Sequence, residues 1–121
     1  MKRYFIKWIR DACKSAYQKG NACEICDSTE NLDFHHFSSL SELVHRWERN
    51  NKLNVNTDEL ALQYRDKFIE EHYDEIYNDT VTLCHEHHLK LHSIYGKNPK
   101  LVTAKKQMRW VEVQREKYGM V

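Results

Sequence analysis

Two short ligand spacings constrain this chain more than anything else in it: "CEIC" at Cys23–Cys26 and "CHEH" at Cys84–His87. Two intervening residues let a tight turn aim both side chains at one ion. Zinc takes four N/S ligands at tetrahedral corners, and Cys23, Cys26, Cys84 and His87 form a complete Cys3His set. A site of this kind ties the early chain to its later half and adds folding energy to a small core. The competing readings are a redox CxxC, or a buried strand cysteine with an exposed histidine beside it. Cys13, the remaining cysteine, falls beside an apolar helix face and is expected to be a buried, inert thiol.

The stretch "VTLCHEHHLKLH" (81–92) raises a second question, because it holds one cysteine and four histidines. It can be one metal site, two, or a metal site joined to a catalytic one. His88 and His92 are four apart, so on a helix they share a face. Neighbouring His87 is rotated from His88 by about 100°. The pair either grips an ion or forms a polar face on a surface helix. His85 is left over and is expected near the helix start, exposed. A further pair, His35-His36, ends the stretch "LDFHH". On an ideal strand these two point to opposite sides, so both enter one site only where the strand stops, and Phe37-Ser38-Ser39 makes a stop there. A divalent ion held by histidines, together with one uncoordinated histidine near neutral pKa, is a combination suited to hydrolysing a phosphodiester.

Periodicity places the elements around these groups. Residues 3–18 repeat apolar side chains at Phe5, Ile9 with Trp8, Ala12 and Ala16, a helix that stops at Gly20-Asn21. A short strand follows at Leu32–His36. A helix over 39–50 carries the stripe Leu40, Leu43, Val44 and Trp47, with Ser39 and Glu42 at capping-box spacing. A longer helix is expected from Asp58 to about Tyr77, capped by Thr57, with Leu60, Tyr64, Phe68, Ile69, Tyr73 and Ile76 along its seam. His45 and His72 are expected at surfaces or interfaces. The β-branched "DTVTLC" reads as a second strand, then a helix to Tyr95 with Gly96 as its stop. A basic helix closes the chain, and Trp110 on it is expected in the core. The fold class is α+β and mostly helical. One domain over 1–121 is the simplest parse, with an N-terminal helical unit (1–22), a helical insertion (37–77) and a basic C-terminal helix (97–121).

Charge is segregated although the net value is only +1. Residues 1–22 carry six Lys/Arg and one acid, and residues 90–121 carry eight and two, whereas residues 42–79 carry five and ten. Basic ends around an acidic middle suit a polyanion at the termini; plain solubility patterning is the other explanation. No apolar run approaches the roughly 18 residues of a membrane span, and Arg10, Asp11 and Lys14 interrupt any signal-like start. A cytoplasmic protein with reduced thiols is therefore expected, rather than a secreted two-disulfide one.

In their order, "CEIC", "LDFHH", "VTLCHEH" and "HLKLH" resemble the HNH endonucleases, the His-Me-finger or ββα-metal nucleases. The resemblance covers residues 23–36 and 78–92. It implies a ββα-metal core and a metal-dependent cut in DNA leaving a 5′-phosphate and a 3′-hydroxyl, within a bacterial host cell. It casts His36 as the base that activates water, and His35, His88 and His92 as ligands of a catalytic Mg2+, Mn2+ or Ni2+. Cys23, Cys26, Cys84 and His87 match its structural zinc knuckles. The family's middle Asn has no direct match; Asn78 or Asp79 could orient His36 or tie down the loop. Lys97, Lys100, Lys105, Lys106, Arg109 and Arg115 are candidate DNA contacts, with Lys2, Arg3, Lys7 and Arg10 at the other end. The acidic insertion is expected to be scaffolding, or else a protein-partner surface. A monomer that nicks and a dimer that cuts both strands are both open. The alternatives are a non-catalytic zinc module that binds nucleic acid, and an interaction scaffold.

Overall fold

The computed structural model describes residues 2–13, 17 and 19–119. Among the described residues, five α-helices and two strands run in the order α1 (Lys2–Cys13), β1 (Leu32–His36), α2 (Leu40–Asn51), α3 (Asp58–Glu71), β2 (Thr80–Cys84), α4 (His85–Tyr95) and α5 (Ala104–Lys117). This is a mostly helical α+β fold with a small antiparallel sheet. The strands pair in the register Leu32↔Cys84, Phe34↔Thr82 and His36↔Thr80.

On α1 the buried positions are Phe5, Ile9 and Cys13, an i, i+4, i+8 stripe, so Cys13 occupies the face and Ala12 stays exposed. Ala16 lies outside the described residues, as do the side chains of Lys2 and Arg3. The N-terminal unit is not helical as far as residue 22. The Gly20 N–H donates to Thr82 Oγ1 at 2.7 Å and the Cys23 N–H to the Ser28 carbonyl at 2.8 Å, which holds that stretch to the sheet and the knuckle.

Two apolar clusters form among the described residues. In the first, Phe5 and Ile9 of α1 meet Leu40, Leu43, Val44 and Trp47 of α2 and Ala61 and Phe68 of α3. The Phe5, Trp47 and Phe68 rings pack at centroid distances of 5.6–5.9 Å. Each such side chain contributes about 1.5–3 kcal/mol on burial. In the second, Ile25, Phe37, Leu83, Leu91 and Val111 bury Cys23 and Cys84 among them. The expected seam of the long helix is buried at Phe68 and Ile76, but Tyr73 is 56% exposed.

That seam fails because the long helix stops early. Thr57 caps its start, accepting from the Leu60 N–H at 3.2 Å. At the other end the His72 backbone N–H and ring Nδ1–H both reach the Phe68 carbonyl, at 3.1 and 2.9 Å, and its ring stacks on Phe68. His72 is thus buried rather than interfacial, and it closes α3. A π-helical turn, Asp74–Asn78, follows, with the Asp79 N–H on the Asp74 carbonyl. Ser39 stands at the start of α2, but its side chain makes no capping bond.

α4 begins on the residue after β2 and packs against both strands. The Asn31 carbonyl takes the otherwise unpaired His85 N–H at 2.7 Å. Gly96, at φ 89°, ends α4 in a backbone region that favours glycine. The basic C-terminal helix starts at Ala104 rather than 97, after a 3-10 turn at Leu101–Thr103. Pro99 explains the delay: it lacks an N–H and disfavours helical backbone in the residue before it. Among the described residues no helix is long and apolar enough to cross a membrane.

Candidate metal centres and active site

Cys23, Cys26, Cys84 and His87 form one group, each offering a ligand atom within 4.8 Å of the others. The turn at Asp27, in left-handed backbone (φ 62°), folds the first pair back on itself. Cys84 ends β2 and His87 lies in the first turn of α4, so strand and helix present them together. Cys26 Sγ lies 3.9 Å from Cys84 Sγ, and His87 Nδ1 lies 3.2 Å from Cys84 Sγ and 3.8 Å from Cys23 Sγ. Zinc–sulfur bonds of about 2.3 Å in a tetrahedron space the sulfurs about 3.8 Å apart, so the donor set fits a metal such as zinc. Burial opposes ionisation of Cys23, but backbone hydrogen bonds from Cys84, Cys26 and Ile25 outweigh it and hold its thiol below the ordinary range. Burial pushes the Cys26 thiol up to about 11.

His35, His88 and His92 form a second group. His35 Nδ1 approaches His88 Nε2 at 3.2 Å, and His92 Nε2 approaches His88 Nε2 at 3.0 Å. The outer nitrogen of each ring is engaged elsewhere. His35 Nε2–H donates to Gln107 Oε1 at 2.8 Å, His88 Nδ1–H to Asp33 Oδ2 at 3.0 Å, and His92 Nδ1–H to the Gly96 carbonyl at 2.7 Å. Because all three partners are acceptors, they assign the tautomers, and each inner nitrogen is left with a lone pair. Three lone pairs at such separations repel unless a cation lies among them. Ligand nitrogens about 2.1 Å from one ion, at right angles, stand about 3 Å apart, so this set also fits a divalent metal. Burial pushes His35 down to about 4 and lowers His88 as well.

The second group lines a cleft of about 480 Å³ whose walls include His36, Tyr17, Phe34, Arg10 and Lys97. His36 ends β1, and Tyr17 and Phe34 meet its ring edge-on at 5.1 and 5.2 Å. Its Nε2 is buried without a hydrogen-bond partner. Burial pushes His36 down to about 4, against the opposing pull of a backbone hydrogen bond to Ile76. The ring is therefore neutral at pH 7. With Nε2 free, its bond to Ile76 falls to Nδ1.

The other anticipated residues take varied places. Asn78 donates to Asp74 Oδ1 at 2.7 Å, and the Asp79 carbonyl accepts the Phe37 N–H at 3.2 Å, so both act on the loop while Ile76 meets His36. Lys97 is at the cleft; Lys100, Lys105 and Lys106 are exposed. Arg109 pairs with Glu112 and Arg115 with Glu24, each at 3.1 Å. Trp110 packs partly buried on the second cluster. His85 is exposed at the first turn of α4 and donates to Asp33 at 2.9 Å.

Residues 1–120 match the phage T5 nicking endonuclease family. The chain belongs to the nicking endonuclease family. Membership makes it a DNA endonuclease, and DNA its substrate. No solved structure matches the chain significantly. Four groups around the family member's cleft were not anticipated from the sequence: Asp33, Gln107, Tyr17 and the Ile76 backbone. Asp33 had a usable signal, since it sits two residues before His35 and shares its strand face. The other three are set by tertiary packing.

Proposed function

We propose that this chain is a metal-dependent endonuclease of the HNH type, with β1, β2 and α4 as its ββα-metal core, folded as one domain. One observation supports the reading most: the lone pairs of His35, His88 and His92 converge in a cleft that His36 also lines, with its Nε2 buried beneath the wall and free of any hydrogen bond. His35, His88 and His92 would hold a catalytic divalent ion (Mg2+, Mn2+ or Ni2+), and Cys23, Cys26, Cys84 and His87 a structural zinc. When bound, the catalytic ion supplies positive charge to the scissile phosphate and to the departing oxygen.

The chain's own residues do the rest. The Ile76 carbonyl holds the proton on His36 Nδ1, which leaves Nε2 to take one from water as that water attacks phosphorus. The P–O3′ bond breaks as the new P–O bond forms, and the departing 3′-oxygen takes a proton from solvent, giving a 5′-phosphate and a 3′-hydroxyl. Asp33, Gln107 and the Gly96 carbonyl keep the three ligand rings turned inward. The Tyr17 and Phe34 rings brace His36. Lys97 and Arg10, at the cleft, would meet backbone phosphates first. Lys100, Lys105 and Lys106 extend that contact; Arg109 and Arg115 contribute less, because acids already face them. One three-histidine group, among the described residues, cuts one strand, which fits nicking by a monomer, in a bacterial host cell.

Plasmid nicking tests this. Wild type should convert supercoiled DNA to open circles with Mg2+, Mn2+ or Ni2+ and stop in chelator, while His92→Ala should lose activity in every metal. Tight DNA binding without cleavage in any metal would replace the proposal with a non-catalytic zinc module.

A further inference from the structure

Gln107 is fully buried on an otherwise basic helix, and three hydrogen bonds engage its amide. Its Nε2 donates to the Phe37 carbonyl at 3.1 Å and to Thr103 Oγ1 at 3.0 Å. Both are oxygens, so they fix which end of the amide is which. Oε1 must then face His35 Nε2, which it meets at 2.8 Å. A buried amide in a protein this small loses solvation, and an apolar side chain of the same shape would pack there without that penalty. Its bonds instead lock one imidazole: with the proton held on Nε2, His35 can present only Nδ1 to the cleft.

The helix that carries Gln107 is anchored at its far end to the other metal group. Arg115 pairs with Glu24, which stands between Cys23 and Cys26. The Tyr118 ring meets His87 edge-on at 5.3 Å. Between these ends, Val111 sits in the second apolar cluster. α5 and the Tyr118 that caps it therefore touch a residue of each group, and Gln107 makes the contact with His35.

We propose that Gln107 is a positioning residue for the catalytic ion, setting the tautomer and orientation of His35 from the C-terminal helix. This rests on the three-histidine site of the preceding reading. Outer-shell partners of ligating histidines typically change metal affinity by about 10–100-fold when removed. Q107M keeps the volume and removes all three bonds. Q107E keeps an acceptor for His35 and loses both donations.

The experiment titrates zinc-loaded full-length protein with Co2+, following affinity by calorimetry and ligand geometry by visible absorption. Zinc content and melting temperature are recorded for each variant. Q107M is expected to bind Co2+ about 10–100-fold more weakly with zinc content unchanged. Q107E is expected to recover most of that affinity with a shifted absorption envelope, because a carboxylate makes His35 a stronger donor. H92A separates the two claims. If H92A binds Co2+ like wild type, the three-histidine site is wrong. If H92A loses Co2+ while Q107M and Q107E both match wild type in affinity and spectrum, the site stands and the role of Gln107 is overturned. Should Q107M not fold, Q107E decides: a shifted spectrum supports the assignment and a wild-type one overturns it.

Discussion

Removing the Cys84 thiol tests how much of the fold the proposed structural zinc supports. Cys84 and Cys23 are both members of the second apolar cluster, so two of the proposed zinc ligands are themselves part of that core. Its other buried side chains, Ile25, Phe37, Leu83, Leu91 and Val111, contribute about 8–15 kcal/mol together at about 1.5–3 each. A structural zinc contributes about 10–16 kcal/mol in its own right. A chain of 121 residues has a total stability of about 6–18 kcal/mol, at about 0.05–0.15 per residue. Loss of the ion is thus as large as the whole margin. Cys84→Ala should unfold the knuckles, the sheet and α4 at 25 °C, rather than merely lower the melting temperature. Cys13→Ala is the matched control: a buried cysteine in the first cluster, beside no ligand group, should cost about 1 kcal/mol. Circular dichroism melts with zinc analysis, and hydrogen exchange at the Leu83 and Leu91 amides, read the difference. A Cys84→Ala protein that melts within about 5 °C of wild type, with Leu83 still protected, would refute the reasoning.

Two further outcomes follow from the cleft. Lys97→Ala should weaken DNA binding and lower the slope of log affinity against log salt by about 1, whereas Arg109→Ala, whose charge already faces Glu112, should change the slope less; fluorescence anisotropy across a salt series checks both. Asp33→Asn should weaken Co2+ binding by about 10–100-fold with zinc retained, since the carboxylate accepts from His88 and His85 together; an unchanged calorimetric affinity would mean that Asp33 serves only the surface.

How far the sequence reaches depends on the range of the force involved. The four-residue spacing of His88 and His92, and the two-residue spacings of the Cys/His pairs, are local geometry. Helix and turn geometry fix them, so the pairs were legible, including the separation of His87 from His88, whereas His35 was joined to His88 and His92 only through the family resemblance. The stripe Leu40, Leu43, Val44 and Trp47 was legible for the same reason. The end of α3 was not, because it turns on the His72 ring reaching back to the Phe68 carbonyl, a local competition that periodicity does not register. Gln107 and Ile76 were invisible for another reason. One is a lone amide on a basic helix and the other a backbone carbonyl, and only tertiary packing brings them to His35 and His36.

The base is the part of the chemistry that the proposal locates most narrowly, at one nitrogen of one ring. Single-turnover nicking of supercoiled plasmid by His36→Ala, at saturating divalent ion, tests it most directly. The expected result is a rate lower by about 10²–10⁴-fold, with zinc content, Co2+ affinity and DNA affinity all at wild-type values. A His36→Ala protein that nicks at the wild-type rate would contradict the account.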